Sequence, residues 1–141
     1  MRFLDANVFV YAYYRPKKTL TEKEETMKDQ AKEIIRKISS GEEQVTTTVV
    51  HVSEIVNILK NGMPQDQLTS LILGLFMLDN VKILDVTKDA YFAAAEIGND
   101  LKLEPNDALA VDTMRQNDID EIYTFDEHFS NIDGIVKLPT L

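Results

Sequence analysis

The feature that most constrains this chain is an alternation. Short runs suited to strands (Arg2 to Leu4, Gln44 to Thr48, Val81 to Val86, Glu121 to Phe125 and Ile135 to Leu138) are separated by longer stretches with helical period. Strands joined by helices of ten or more residues pair in parallel, because a parallel connection needs a long crossover whereas an antiparallel one needs only a hairpin. The predicted fold class is therefore α/β, a three-layer α/β/α sandwich on a mainly parallel sheet of four to five strands. At 141 residues the chain fits one domain, 1–141, large enough to bury a core without disulfides.

The helical stretches carry their own start and stop signals. Val8 to Tyr14 begins a helix that Pro16 interrupts. Thr21 and Glu24 have capping-box spacing, and Met27, Ala31, Ile34, Ile35 and Ile38 form an apolar stripe that ends at Ser39-Ser40-Gly41. A helix is expected from Val49 to Lys60, stopping at Asn61-Gly62. Pro64 suits the first turn of the next helix, which carries the run "LILGLFML". That run is more apolar than one buried stripe requires, so the helix is either fully buried or presents a face for association. Thr87 caps a helix reaching Lys102, and the last helix starts at Asn106 or Asp107 and runs to Asn117.

Composition removes several function classes. There is no cysteine, which excludes disulfides, thiolate metal sites and cysteine nucleophiles. No apolar run approaches the ~20 residues of a membrane span, and the N-terminus lacks the apolar core of a signal peptide, so a soluble, cytoplasmic protein is expected. The net charge of −9 disfavours a polyanion overall, but the charge is polarised. Arg15 to Lys37 holds eight bases against five acids, a local +3 that leaves −12 for the rest. This is either a solvated helix face or a nucleic-acid contact.

In parallel sheets, ligands gather outside the carboxyl ends of the strands. Asp5 follows the first strand in "FLDANVFV" and Asp126 follows the fourth in "YTFDEHF"; Asp107 opens a helix in "PNDALAV". Glu54 interrupts the apolar row of Val50 and Ile58 on its helix. Singly, these residues have ordinary explanations: a turn or cap for Asp5, a cap for Asp107, a turn for Asp126, an ion-paired or half-exposed acid for Glu54. Together they would repel one another, and no Lys or Arg lies near them in sequence. The natural neutraliser is a hard divalent cation, Mg²⁺ or Mn²⁺.

"FLDANVFV", "TTTVVHVSEIVN", "PNDALAV" and "YTFDEHF", in this order over nearly the whole chain, resemble the successive motifs of PIN domains. The resemblance implies a nuclease in which Asp5, Glu54, Asp107 and Asp126 hold one or two Mg²⁺ or Mn²⁺ ions for phosphodiester hydrolysis, acting as ligands rather than nucleophiles. It also implies supporting roles for Asn7 and Thr124. Asp112 is a weaker candidate, about 140° around the helix from Asp107. His128 could be a ligand or a surface residue, and His51 is expected to pack. PIN proteins of this length are similar to VapC toxins, which implies an RNA substrate, a small antitoxin partner and a two-fold homodimer. Arg15, Lys17, Lys18, Lys28, Lys32 and Arg36 are then the candidate RNA contacts. Alternatives are a PIN-fold protein of RNA processing or decay, or a catalytically silent scaffold. A haloacid-dehalogenase-like phosphatase needs an acid where Asn7 stands, and a receiver domain needs a late lysine where "TFDEHF" offers an acid.

Overall fold

The computed structural model describes residues 1–13 and 18–140. Expectations placed on Tyr14, Arg15, Pro16 and Lys17 lie outside the described residues. The strands β1 (Arg2–Leu4), β2 (Val45–Thr48), β3 (Val81–Leu84), β4 (Glu121–Tyr123) and β5 (Val136–Leu138) form one sheet in the order β3-β2-β1-β4-β5, with every pairing parallel. The helices are α1 (Asn7–Tyr13), α2 (Glu22–Ser39), α3 (Val49–Leu59), α4 (Gln65–Met77), α5 (Lys88–Leu101) and α6 (Pro105–Gln116), with a 3₁₀ turn at Glu127–Phe129.

Alternation along β1 sets the layers. Phe3 joins the cluster of Ala110, Val111 and Met114 of α6, with Ile122 and Phe129, on one face. Leu4 joins Val8, Phe9, Ile34, Ile38, Val52 and Leu75 on the other, where α1 to α4 pack. Both residues are essentially inaccessible to solvent, as a central strand covered on both faces requires.

The helix signals act as the sequence indicates. The Thr21 hydroxyl accepts from the Glu24 amide at 3.1 Å and the Glu24 carboxylate accepts from the Thr21 amide at 3.3 Å, closing the capping box of α2. Thr48 and Thr87 cap α3 and α5. Several boundaries differ. Pro64 is the cap rather than the first turn of α4, and α6 begins at Pro105 because the Glu104 side chain caps it. The strand β4 stops at Tyr123, although the Thr124 amide still donates to the Leu138 carbonyl, and β3 stops at Leu84. The helix α4 is not fully buried: Leu68 and Leu75 face the core, while Leu73, Phe76 and Met77 are exposed.

The strand order places the site. From β1 the chain goes to β2 on one side, and it later returns to place β4 on the other, so β1 and β4 flank the point where the winding reverses. Ligands of parallel sheets gather at this point of the carboxyl edge, and Asp5 and Asp126 follow these two strands.

Candidate metal-binding acidic site

Asp5 is 5% exposed and is held through both oxygens. The Ala6 amide donates to Oδ1 at 2.8 Å, and the Thr124 hydroxyl donates to Oδ2 at 2.7 Å. The same Thr124 oxygen accepts from the Asp126 amide at 3.1 Å, so one buried hydroxyl ties together the chain ends leaving β1 and β4. Asn7, the first residue of α1, accepts from the Phe125 amide at 3.3 Å and lies 3.3 Å from the Thr124 hydroxyl. Asp126 in turn caps the 3₁₀ turn, its Oδ1 accepting from the His128 amide at 2.9 Å.

The other two acids come from helices that meet across this edge. Glu54 lies in the second turn of α3, and Asp107 in the first turn of α6, where the Asp107 amide donates to the Glu104 carboxylate at 2.9 Å. His51 joins the two helices. Its Nε2 is 3.1 Å from the Asn106 carbonyl, and its Nδ1 is 2.7 Å from the Thr48 hydroxyl. A carbonyl only accepts, so Nε2 carries the proton and Nδ1 accepts from Thr48. Burial lowers the His51 pKa to about 4, which keeps this tautomer neutral. His51 packs, as the sequence suggests, and its packing fixes the helix pair that carries Glu54 and Asp107.

The acids sense one another. Burial raises Asp107 to about 8, reinforced by Asp5, Asp126, Glu104 and Glu54. Burial also raises Glu54 to about 7, with Asn106 opposing and Asp5 and Glu104 reinforcing. For Asp5, burial outweighs the hydrogen bonds from Thr124 and Ala6 and lifts the pKa to about 6, with Asp126 and Glu104 adding to it. Among the described residues, the only ion pairs reaching the four acids are those of His128, whose Nδ1 is 2.9 Å from Asp126 Oδ1 and 4.0 Å from Asp107 Oδ2. Arg2 lies at the opposite edge, engaged with Glu43 and Glu121.

Two of the four acids, Asp107 and Asp126, come close enough with His128 to share a cation, and Asp5 and Glu54 lie outside that group. Glu54 Oε1 is buried without a hydrogen-bond partner, an arrangement that costs free energy unless positive charge is supplied. Ligand atoms of Asp107, Asp126 and His128 lie within 4.8 Å of one another. Oxygen donors of this kind suit Mg²⁺ and Mn²⁺. Asp112 is placed differently: its carboxylate accepts from Gln116 at 3.1 Å, and it is not among the charges acting most strongly on the other acids. Glu104 is the residue that sequence reasoning missed. Its signal was available as an acid at the capping position, three residues before Asp107.

A cleft of about 510 Å³ lies elsewhere. Lys28, Lys32 and Arg36 line it with Ala12, Tyr13 and the α3–α4 connection. It lies at the far end of α1 from Asn7, about 9 Å along that helix. Lys28 donates to the Tyr11 and Ala12 carbonyls at the end of α1, and Arg36 is held by Glu33 and Glu42. Lys18 is exposed.

No curated protein matches the chain in sequence. Solved structures do match in fold. A toxin–antitoxin complex from Klebsiella pneumoniae is 15% identical with a TM-score of 0.65, covering 96% of each chain. VapC20 of Mycobacterium tuberculosis, described as a sarcin–ricin-loop-cleaving toxin, is 21% identical with a TM-score of 0.67, covering 92% of this chain and 93% of its own. VapBC2 of Rickettsia felis, bound to a DNA fragment from its promoter, is 16% identical with a TM-score of 0.62, covering 96% of each chain. At these identities the likeness is one of fold. The sequence model of the PIN domain matches residues 2–135, taking in both strand-end acids and both helix acids, and the chain belongs to the PIN domain family.

Proposed function

We propose that the chain is a divalent-metal-dependent endoribonuclease and the toxin of a toxin–antitoxin pair, acting on RNA in the cytoplasm. The observation that carries this reading is the unpartnered, buried Glu54 Oε1 beside acids that raise one another's pKa. A fold gains nothing from such a grouping unless a cation occupies it. The toxin assignment and the small antitoxin partner are supported by the structural neighbours, two of which contain an antitoxin or are named for a toxin–antitoxin pair. No helix among the described residues is long and apolar enough to cross a membrane.

Asp5, Glu54, Asp107 and Asp126 would hold Mg²⁺ or Mn²⁺, as one ion or two. When bound, the cation supplies Lewis acidity that makes water a nucleophile near neutral pH and offsets charge on the phosphoryl oxygens. The residues of the chain do the placing. Thr124 and Ala6 fix both oxygens of Asp5, Asn7 ties α1 to the Thr124–Phe125 backbone, and His51 holds α3 against α6. The RNA backbone would reach Lys18, Lys28 and Lys32 on α2 and its approach. Leu73, Phe76 and Met77 on α4 leave apolar surface suited to a homodimer, which sedimentation at micromolar concentration tests.

The deciding experiment is cleavage of mixed RNA and single-stranded DNA with Mn²⁺, with EDTA as control. Asp5→Asn should abolish RNA cleavage, with an unchanged circular dichroism spectrum. Chelator-insensitive cleavage by that variant would refute the reading.

A further inference from the structure

The stretch "DEHF" does more than supply Asp126. Phe129 is fully buried and anchors the 3₁₀ turn, while the Asp126 carboxylate caps it by accepting from the His128 amide at 2.9 Å. These two constraints fix the backbone of both Asp126 and His128. The imidazole itself is 72% exposed, yet its Nδ1 sits 2.9 Å from Asp126 Oδ1 and 4.0 Å from Asp107 Oδ2. With ligand atoms of Asp107, Asp126 and His128 all within 4.8 Å of one another, the three side chains are close enough to hold one cation together.

We propose that His128 is a protein ligand of the divalent cation, adding an imidazole nitrogen to the carboxylates of Asp107 and Asp126 and favouring a transition-metal cation over Mg²⁺. This rests on the metal centre proposed above and extends its donor set beyond the acids. His128 Nδ1 faces the Asp126 carboxylate at 2.9 Å. With the ring proton carried on Nε2, the Nδ1 lone pair would bind the cation and no bond need break. Mg²⁺ prefers oxygen donors and keeps its waters, whereas Mn²⁺, Co²⁺ and Zn²⁺ accept imidazole with affinity rising along the series of divalent ions. His51 cannot supply the nitrogen, because both its ring nitrogens are hydrogen-bonded and it is buried.

Mn²⁺ added to the whole chain and read by pulsed electron paramagnetic resonance tests the assignment without any turnover. The expected result is a nitrogen hyperfine coupling in the parent protein that disappears in His128→Gln. Calorimetry should show Mn²⁺ affinity falling in that variant by at least the about tenfold that losing even an outer-shell partner costs, with Mg²⁺ affinity nearly unchanged. Mn²⁺ bound with no nitrogen coupling, or a coupling that survives in His128→Gln, overturns the role of His128 and leaves the nuclease reading standing. Failure of the parent protein to bind Mn²⁺ overturns both.

Discussion

The Thr124 hydroxyl donates to Asp5 Oδ2 at 2.7 Å, joining the carboxyl ends of β4 and β1. Thr124 is 0% exposed, so this bond satisfies a carboxylate oxygen that water does not reach freely. Thr124→Val keeps the shape and removes the donor. The Asp5 pKa should move further up from about 6, because a hydrogen bond that favours the charged form is lost. We expect weaker Mn²⁺ binding, slower RNA cleavage and a loss of about 1–3 kcal/mol in metal-bound stability. Thr124→Ser should restore all three, and calorimetry with thermal melts reads them.

Glu104 offers a second test, since its carboxylate caps α6 and also adds negative charge to the acid group. Glu104→Gln retains an acceptor for the Asp107 amide but removes the charge. Raised Asp107, Glu54 and Asp5 pKa values should all relax downward, because each is pushed up in part by Glu104. Carboxyl titration by NMR without metal checks this, and unchanged pKa values would contradict the coupling. Glu104→Ala should in addition lose about 1 kcal/mol through the missing cap.

These two residues show what a sequence reveals and what it hides. Asp5 and Asp126 could be placed from the strand pattern alone, since the ends of parallel strands share an edge whatever the details of packing. Glu54 was visible because it breaks an apolar row between Val50 and Ile58, although Ile58 proves to be exposed. Glu104 was hidden beside Pro105, where it read as a helix boundary. The His51 tether was hidden for another reason: its partner is the Asn106 carbonyl, 55 residues away, and a backbone acceptor leaves no trace in residue identity. The exposed side of α4 was equally ambiguous, because an apolar run reads alike whether core or a partner covers it.

The pH dependence of metal-free stability follows from the same group. Asp5, Glu54 and Asp107 have folded pKa values of about 6, about 7 and about 8, all above their ordinary values. The folded chain therefore binds more protons than the unfolded chain up to about pH 8, and stability declines as pH rises through that range. His51 acts oppositely, since its folded pKa of about 4 makes stability rise with pH from about 4 to about 6.5. Above about pH 6.5 only the carboxyl effect remains. Thermal melts in EDTA should show the midpoint falling from pH 6.5 to 8, and saturating Mn²⁺ should flatten the profile. A midpoint that rises over this window without metal would contradict the electrostatics described here.

Salt dependence separates the basic residues. If RNA crosses the α2 surface, replacing Lys28 and Lys32 with Gln should reduce the slope of log affinity against log salt by about 0.7 per lysine for single-stranded RNA. Arg36, already held by Glu33 and Glu42, should contribute less. Lys28 also donates to the end of α1, so a thermal melt of its variant distinguishes lost contact from lost structure. An unchanged slope in the double variant would place the RNA path elsewhere.

Gly98 controls how closely α5 approaches α6. A Cβ at this position would lie 2.8 Å from the Leu103 carbonyl oxygen and 2.9 Å from Ala108 Cβ, and neither atom belongs to a flexible side-chain end. Gly98→Ala must therefore push α6 outward, at a cost of about 1–3 kcal/mol. Ala108 directly follows Asp107, so the displaced turn is the one that carries a proposed metal ligand and its Glu104 cap. The expected result is a lower melting point together with Mn²⁺ affinity reduced beyond what a helix-surface alanine elsewhere on α5, such as Asp100→Ala, produces. If Gly98→Ala melts lower but binds Mn²⁺ as the parent does, the acid site tolerates movement of α6, and the close α5–α6 contact serves stability alone.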